Sequence, residues 1–458
     1  MEPTITDINQ FELSKEFLDR LKQAVQENDV EFVRHALEPV NPADISAVLY
    51  ELDTDACKWV LRVLPAETSG MVISELDSDV RKSFTKQFEP EELVPFVEEM
   101  DSDDAVDVLN ELDVRVREEV IAQLEDPEHA KYIVDLLHYD EDCAGGLMAK
   151  ELIKANINWT VTQTIEEIRR QAENVSKIYS VYVVDDTGQL VGKASLKRML
   201  LARAGTKIAD LYDPEIISVQ TYMDEVEVAQ LMRKYDLEAV PVVNVQNKLV
   251  GRITIDDILD VITELQEEER QLMSGLSEDV EETDSVWMLT RARLPWLLIG
   301  MLGGLVAALF LGRFESDIEV VPALAFFMPL VTATGGNVGI QSSSIILQSL
   351  ANPSVFNESV GKRLLKVLLV AVFNGLVLAG ILFMVVTLFN FESKLVIVVS
   401  LALFCVVLLA SFTGTITPLV LDKFNINPAL ASGPFITTAN DLLGLGVYFL
   451  VAHLLYNL

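Results

Sequence analysis

The 458-residue chain carries 70 acidic and 35 basic side chains, a formal net charge of −35, yet half of its residues are hydrophobic. The charge is confined to residues 1–285, whose net charge is −36, while residues 286–458 have a net charge of +1. Such a chain holds two or more domains, and we expect no nucleic-acid partner. Cys57, Cys143 and Cys405 form no CxxC pair, so no zinc site is expected and any metal must be bound through oxygen.

Residues 1–140 are predicted to form a helical N-domain built from a repeat. Four segments share a capping start, an apolar centre and a final Leu-Asp or Met-Asp: PADISAVLYELD, PAETSGMVISELD, PEELVPFVEEMD and SDDAVDVLNELD. Helices of about ten residues bury a face only against their neighbours, which predicts a small superhelix. It has no nucleophile or phosphate loop, so a scaffold is favoured. The first residues lack a basic and an apolar region, and no cleaved signal is expected.

A second repeat lies within residues 141–262. Val181–Leu200 aligns without a gap to Val240–Leu259, with seven of the twenty positions identical. Each copy predicts strand, turn, strand and helix, and the pair resembles tandem CBS domains, modules that sense nucleotides or ions. The resemblance implies that a Thr-x-x-Asp pair, Thr254 and Asp257, could hold adenosine. The first copy has Ser195 and Arg198 instead, so at most one site, with ATP as its ligand, is expected.

Residues 263–285 are acidic and helix-forming, and we expect a connecting (plug) helix that carries domain motion to the membrane. Residues 286–458 contain uncharged runs of 18, 25 and 27 residues at Leu294–Leu311, Val367–Phe391 and Leu395–Leu421. Two further stretches, Val320–Asn357 and Phe424–Leu458, are long enough to span, and a span needs roughly 20 apolar residues. Five transmembrane helices are therefore predicted, in preference to buried core helices.

The basic residues near the span ends predict the orientation. Six of them flank one side of the predicted spans: Arg291, Arg293, Lys362, Arg363, Lys366 and Lys423. The other side has only Arg313 and Lys394. Since cytoplasmic loops carry an excess of Lys and Arg, we expect a multi-pass protein of the cell membrane with a cytoplasmic N-terminus and an external C-terminus.

A polar, uncharged stretch, MPLVTATGGNVGIQSSSIILQSL, interrupts the apolar region at residues 328–350. Its oxygen-bearing side chains follow each other at steps of 3, 4, 3 and 4, which places them on one face of a helix: Thr334, Asn337, Gln341, Ser344 and Gln348. Gly335 and Gly339 form a GxxxG pair that admits another helix closely. The stripe alone is equally consistent with interhelical hydrogen bonding and with a functional path.

Asp441 is the only acid inside a predicted span, with 17 uncharged residues on each side. A carboxylate there costs roughly 2.5–3.5 kcal/mol, and no intramembrane Lys or Arg can pair with it. Thr437 shares its face. An unpaired acid opposite a polar stripe favours a cation path over a protonated structural Asp, although these oxygens suit protons and several hard divalent ions. His453 lies near the end of the last span, and no acid is expected to pair with it, so no enzyme is predicted.

The motifs TATGGNVGIQSS and GPFITTANDLLGLGVYF, after a helical N-domain and a CBS pair, resemble the MgtE family of magnesium transporters and channels over nearly the whole chain. The resemblance implies a homodimer in the lipid membrane whose pore lies between the subunits. Asp441 would be the ion-site carboxylate that holds hydrated Mg²⁺, and Asn337 and Gly336 would line the path with Thr334, Gln341 and Thr437.

The resemblance also implies that cytosolic Mg²⁺, bound between acidic surfaces, closes the path. The matching positions lie in the N-domain, the second CBS module and the linker: Asp103, Asp107, Asp236, Asp257, Asp260, Glu268 and Glu269. Each is equally consistent with a solvated surface acid. Asn427 stands where the family often has an acid, and Leu265 where a linker acid is plausible, which implies a weaker ion bridge there.

The sequence thus predicts a multidomain protein with an α-helical superhelical N-domain, an α/β tandem CBS pair and an α-helical membrane domain with five transmembrane helices. The expected function is channel-like magnesium transport gated by cytosolic Mg²⁺. Two alternatives remain: a transporter of other divalent ions such as cobalt or manganese, and a CBS membrane sensor without flux.

Overall fold

The computed structural model describes residues 13–172, 175, 177–277, 280, 285–351, 360–424, 426–431 and 433–456. The chain divides into two units, Met1–Ile262 and Thr263–Leu458. The first unit begins with ten short helices. They are α1 (Lys15–Glu27), α2 (Val30–Leu37), α3 (Pro42–Leu49), α4 (Thr54–Val63), α5 (Ala66–Ser74), α6 (Ser78–Thr85), α7 (Pro90–Glu98), α8 (Ser102–Asn110), α9 (Val114–Ile121) and α10 (Pro127–Leu136).

The helical repeat is confirmed, but its final aspartates begin helices rather than end them. Asp53, Asp77, Asp101 and Asp113 are the N-cap residues of α4, α6, α8 and α9. Of the four, the Asp53 side chain accepts a capping hydrogen bond, from the backbone N–H of Ala56 at 2.9 Å, whereas those of Asp77, Asp101 and Asp113 make no capping bond. An aspartate at this position satisfies an N–H that the helix leaves unpaired, so the repeat marks helix starts.

Two three-stranded sheets form the tandem CBS pair, which confirms the second repeat. Their strands are β1 (Ile153–Asn156), β2 (Val181–Val184), β3 (Leu190–Ala194), β4 (Val219–Gln220), β5 (Ala239–Val243) and β6 (Leu249–Thr254), in the orders β1-β2-β3 and β4-β5-β6. In each sheet the first pair is parallel and the second antiparallel. The associated helices are α11 (Val161–Gln171), α12 (Leu196–Leu201), α13 (Glu225–Tyr235) and α14 (Ile255–Ser274). The parallel pairs need the crossover helices α11 and α13.

Buried polar contacts join the N-domain to the CBS pair within the first unit. The Glu151 carboxylate, 8% exposed, accepts hydrogen bonds from the Ser102 hydroxyl at 2.7 Å and from the Ser102 N–H at 3.2 Å. His129 of α10 lies 3.8 Å from the same carboxylate and contacts the Val97 carbonyl at 3.0 Å. These partners keep a buried acid satisfied, so the contact is specific rather than merely apolar.

The second unit holds the apolar helices. They are α15 (Val286–Leu311), α16 (Glu315–Val320), α17 (Met328–Ala351), α18 (Val360–Leu388), α19 (Ser393–Lys423) and α20 (Pro434–Tyr456). Among the described residues, five segments are long and apolar enough to cross a membrane: Val286–Val320, Pro322–Leu350, Leu364–Leu388, Ser393–Lys423 and Pro434–Tyr456. The five predicted spans are thereby confirmed. Helix α19 is central, since it packs against α17, α18 and α20.

One expectation for this unit is wrong. His453, near the end of α20, does have an acidic neighbour, because its Nδ1 lies 3.3 Å from Asp317 Oδ2. Asp317 belongs to the short helix α16, 136 positions earlier in the chain, and its side chain is buried. The pair forms because the turn after α15 packs back onto α20, a long-range contact that the local sequence does not encode.

Candidate functional site

Helix α17 has a polar face and a glycine face. Asn337 and Gln341 are exposed and Thr334 is half-buried, whereas Gly335 and Gly339 are buried. The Thr334 hydroxyl donates to the Leu330 carbonyl at 2.7 Å. Its hydrogen is therefore used within the helix, and its remaining lone pairs can only accept hydrogen bonds.

The glycine face is where neighbouring helices approach α17, as the GxxxG pair predicts. A Cβ on Gly335 would lie 3.0 Å from the Val406 side chain of α19. A Cβ on Gly336 would lie 3.2 Å from the Thr437 methyl and 3.7 Å from Asp441 Oδ1, both on α20. Any larger residue here would push α20 away, so the missing side chains bring Asp441 and Thr437 next to the polar helix.

Asp441 is half-buried, and its carboxylate lies beside Gly336. Across the residues that the structure describes, this carboxylate has neither an ion-pair partner nor a hydrogen-bond donor. The Thr437 hydroxyl, one turn earlier, donates to the Gly433 carbonyl at 3.0 Å and leaves lone pairs free. An unpaired carboxylate and hydroxyl acceptors form an electronegative environment that suits a cation or the hydrogens of its water shell.

The structure adds Asn440, which we did not single out from the sequence. Its side chain is 1% exposed, and its Oδ1 accepts a hydrogen bond from the Thr413 hydroxyl of α19 at 2.7 Å. The signal available in the sequence was a second polar residue immediately before the intramembrane acid.

The end of α14 contacts the start of α20 within the second unit. Gly433 has a φ of +60°, and a Cβ there would collide with the Met273 carbonyl oxygen. A Cβ on Gly275, at φ +82°, would lie 2.8 Å from Pro434. Both glycines adopt the left-handed conformation that other residues avoid, and their lack of a side chain allows this close contact.

An acidic cluster lies where α8 meets the start of α14 in the first unit. Burial, followed by the charge of Asp257, raises the pKa of Asp103 well above its usual range and that of Asp104 to about 7. Burial also raises the pKa of Asp257 to about 6, although its hydrogen bonds with Thr254 oppose the rise. The side chain of Asp107 is exposed, yet crowding by protein atoms raises its pKa to about 7 against the opposing charge of Arg81. These carboxylates repel one another and favour a bound cation or proton.

The other predicted regulatory residues are less crowded. Burial and the neighbouring Asp256 raise the pKa of Asp260, which lies in the same cluster. Asp236 is exposed at the C-terminus of α13, and Glu268 and Glu269 are exposed on α14 in the second unit. Over the described part of the chain, no three or more His, Cys, Asp or Glu side chains are arranged to hold a metal directly.

The structure also describes Leu265 and Asn427, the two positions that depart from the family pattern. Leu265 is half-buried on α14, and Asn427 is exposed before α20. The Asn427 side chain accepts a hydrogen bond from the Ala429 N–H at 2.9 Å, so it caps a turn.

The two residues predicted to bind a nucleotide, Thr254 and Asp257, contact each other. The Thr254 hydroxyl and backbone N–H both donate to Asp257 Oδ2 at 2.8 Å. A separate small pocket is lined by Lys177, Tyr179, Tyr182 and Arg252 among others. Arg252 is 4% exposed and donates to the Lys177 carbonyl at 3.0 Å, while the buried Tyr182 hydroxyl has no partner among the described residues.

Comparison with known proteins gives the same domain order. The MgtE family model, described as "Divalent cation transporter", matches residues 328–451. The model of the MgtE intracellular N domain matches residues 40–142, and the CBS domain model matches residues 144–205 and 208–264.

Individual relatives match over nearly their full length. The chain is 34% identical over 446 residues to the magnesium transporter MgtE of Thermus thermophilus, covering 95% of this chain and 97% of the relative. It is 28% identical to the magnesium transporter MgtE of Bacillus subtilis, again covering 95% and 97%. A crystal structure of the cytosolic domain of the Mg²⁺ channel MgtE in complex with ATP covers 53% of this chain and 99% of its own, at 34% identity and a TM-score of 0.50. Taken with the five apolar helices, the CBS pair and the intramembrane acid, these matches show that the chain belongs to the MgtE family.

Proposed function

We propose that this protein carries Mg²⁺ across the cell membrane through a channel-like path lined by α17 and α20. The observation that carries the proposal is the unpaired Asp441 carboxylate, placed beside Gly336 inside an apolar helix. Such a residue is costly in a membrane and is usually retained for ion or proton movement. The names of the relatives favour Mg²⁺ over other divalent cations.

The acceptor groups along the path suit a hydrated ion. Mg²⁺ releases its water reluctantly, so the path must hold the ion together with its water shell. The hydroxyl oxygens of Thr334 and Thr437 can accept hydrogen bonds from those waters, and the amides of Asn337 and Gln341 add further polar contacts. We assign Asp441 as the charge that attracts the ion.

A homodimer would complete the path. Asn337 and Gln341 are exposed on a helix long and apolar enough to lie in the membrane. Polar side chains seldom face lipid, and they are normally turned towards protein or a water-filled cavity. A second copy of the chain facing α17 would supply both protein and a second Asp441.

We further propose that cytosolic Mg²⁺ closes the path by binding at the acidic cluster. The raised pKa values of Asp103, Asp104 and Asp257 arise first from burial and then from neighbouring negative charge, and a hydrated divalent ion would relieve that repulsion. Asp257 and Met273 lie on the same helix, α14, and Met273 contacts the start of α20. A displacement of α14 would therefore reach the helix that carries Asp441.

Flux into liposomes tests transport directly. Purified wild-type protein is reconstituted, and Mg²⁺ entry is followed with an indicator sealed inside. We expect Asp441→Asn to abolish flux while the protein elutes as the wild type does on size exclusion, and the exposed Asp422→Asn, at the end of α19, to transport normally. Wild-type flux through Asp441→Asn would refute the path assignment.

The same assay distinguishes the alternatives. Equal or faster flux of cobalt or manganese than of magnesium, at matched concentrations, would indicate a general divalent-ion transporter. A wild-type protein that carries none of the three ions but binds Mg²⁺ would be a sensor.

ATP is the proposed ligand of the CBS pair, since a relative's cytosolic domain was crystallised with it. Thr254 ends β6 two residues after Arg252, and Asp257 lies in the first turn of α14, so a nucleotide would lie close to the acidic cluster. We expect Thr254→Val to weaken ATP binding, measured by calorimetry on the full-length protein, and Ser195→Ala in the first copy to leave it unchanged. Equal affinity in both variants would exclude Thr254 from the site.

A further inference from the structure

The buried amide of Asn440 lies where three membrane helices cross. Its Oδ1 accepts the hydrogen bond from Thr413 of α19 at 2.7 Å, and its Nδ2 occupies the space that a Cβ on Gly339 of α17 would fill. α17 and α19 also meet at this level, because a Cβ on Gly414 would collide with the Gly339 carbonyl oxygen. One side chain of α20 is thus in contact with both neighbouring helices.

This crossing lies one residue from the proposed ion-site carboxylate. Asp441 follows Asn440 on α20, and its contact residue Gly336 lies three positions before Gly339 on α17. Residues three apart are neighbours on a helix surface. A change in the separation of α17 and α20 at Gly339 would therefore move the Asp441 carboxylate relative to Gly336.

Packing alone does not account for an asparagine here. Its Nδ2 has no hydrogen-bond partner among the residues that the structure describes, although the side chain is 1% exposed. An unpaired buried N–H is unfavourable, and an apolar side chain with the same branching, such as leucine, carries no such cost. The single hydrogen of the Thr413 hydroxyl can also reach the Leu409 and Ala410 carbonyls at 3.1 Å, but Asn440 Oδ1 is its nearest acceptor at 2.7 Å. This bond orients the amide, which a leucine could not reproduce.

We propose that Asn440 is a positioning residue that sets the separation of α17 and α20 and thereby orients the Asp441 carboxylate towards the ion. The inference rests on the proposed transport function. A misplaced carboxylate binds the passing ion less well, so loss of the amide changes the Mg²⁺ concentration at which flux is half-maximal.

The test compares Mg²⁺ flux per folded protein in liposomes for the wild type and a set of variants. We expect Asn440→Leu and Thr413→Val each to raise the half-saturating Mg²⁺ concentration about tenfold, and the double variant to raise it no further, because both remove one interaction. Thr413→Ser keeps the hydroxyl and should behave as the wild type. Thr415→Val is the matched control, since the buried Thr415 hydroxyl bonds only to Ser411 of its own helix at 2.7 Å.

The outcomes are separable. A wild-type half-saturating concentration in Asn440→Leu and Thr413→Val, with only a lower yield of folded protein, would overturn the inference and leave the transport proposal intact. If Asn440→Leu fails to fold, the comparison of Thr413→Val with Thr413→Ser decides. Absence of flux in the wild-type protein would refute the transport proposal and this inference with it.

Discussion

Asn440 and Asp441 are consecutive residues of α20 with different surroundings. Successive side chains on a helix point about 100° apart, so Asn440 enters the crossing with α17 and α19 while Asp441 faces Gly336. The first residue is buried and hydrogen-bonded, and the second is half-buried and unpaired among the described residues. One polar residue thus supports the geometry of the helices, and its neighbour is left available for an ion.

His129 provides a residue-scale prediction about pH. Burial lowers the pKa of His129, but the interactions with Glu151, the Val97 carbonyl and Glu98 together outweigh it and leave the pKa above its usual value of 6.5. Burial raises the pKa of Glu151, but His129 and Ser102 outweigh it and leave the pKa below its usual 4.5. Because the pKa of His129 is raised in the folded state, its protonated form stabilises the fold below pH 6.5. This stabilisation is lost as the pH rises through the folded pKa. Because the pKa of Glu151 is lowered in the folded state, its ionised form stabilises the fold above pH 4.5. This stabilisation is lost as the pH falls through the folded pKa.

Between about pH 4.5 and 6.5 both groups are charged, so the pair contributes most to the stability of the fold in that window. We expect His129→Gln to lower the local free energy of unfolding by about 1–3 kcal/mol in that window and by less at pH 8. Hydrogen exchange of the backbone amides of α8 and α10 in the full-length protein, corrected for the intrinsic exchange rate, measures this local free energy of unfolding. His35→Gln, at an exposed histidine of α2, is the control. An equal loss at both pH values would contradict the ion-pair interpretation.

The helices of the membrane unit are held at close distances by glycines. Gly414 of α19 meets the carbonyl oxygen of Gly339, a backbone atom that cannot rotate away. We expect Gly414→Ala to destabilise the unit by about 1–3 kcal/mol, because extra volume in a packed contact forces the helices apart. The midpoint of thermal unfolding in detergent, monitored by size exclusion, should fall.

Gly380→Ala is the matched control for that measurement. Gly380 lies on α18, and a Cβ there would have no neighbour within 4 Å among the described residues. Alanine also has the higher helix propensity, so this variant should be as stable as the wild type or slightly more stable. A similar loss of stability in both variants would mean that glycine flexibility, rather than the close contact, explains the Gly414 result.

The elements could largely be predicted from the sequence, because their signals are local. Uncharged runs identified the five spans, and the alignment of Val181–Leu200 with Val240–Leu259 identified the two CBS modules. The N-cap role of Asp53 was missed, although its hydrogen bond is local. The contacts of Asn440 and the pairing of His453 with Asp317 could not be predicted, because each joins segments that lie apart in the chain. The approach of Asp103 to Asp257 was implied only by the family resemblance.

The whole molecule is a multi-pass membrane protein of the MgtE family with a strongly acidic front part. Residues 1–285 carry a net charge of −36, and like charges at this density oppose a compact state unless cations neutralise them. The contacts between the N-domain and the CBS pair include both the hydrogen bonds of Glu151 with Ser102 and the repulsive cluster of α8 and α14. Stability of this part should therefore depend on divalent ions.

Limited proteolysis tests this dependence. We expect millimolar Mg²⁺ to slow cleavage within residues 1–285 severalfold, because a bound ion relieves the repulsion between α8 and α14. Sodium chloride at the same ionic strength is the control for general screening. Equal cleavage with and without Mg²⁺ would contradict the sensor role of the acidic cluster, even if flux were normal.

The hydroxyls of Thr334 and Thr437 donate their hydrogens to their own helices, and this has a consequence for anions. Water around a cation turns its hydrogens outward, where the remaining lone pairs of these hydroxyls can receive them. Water around chloride turns its oxygens outward and needs donors, which these two side chains no longer offer. Beyond the repulsion by Asp441, these two hydroxyls would disfavour hydrated anions through the orientation of their solvent.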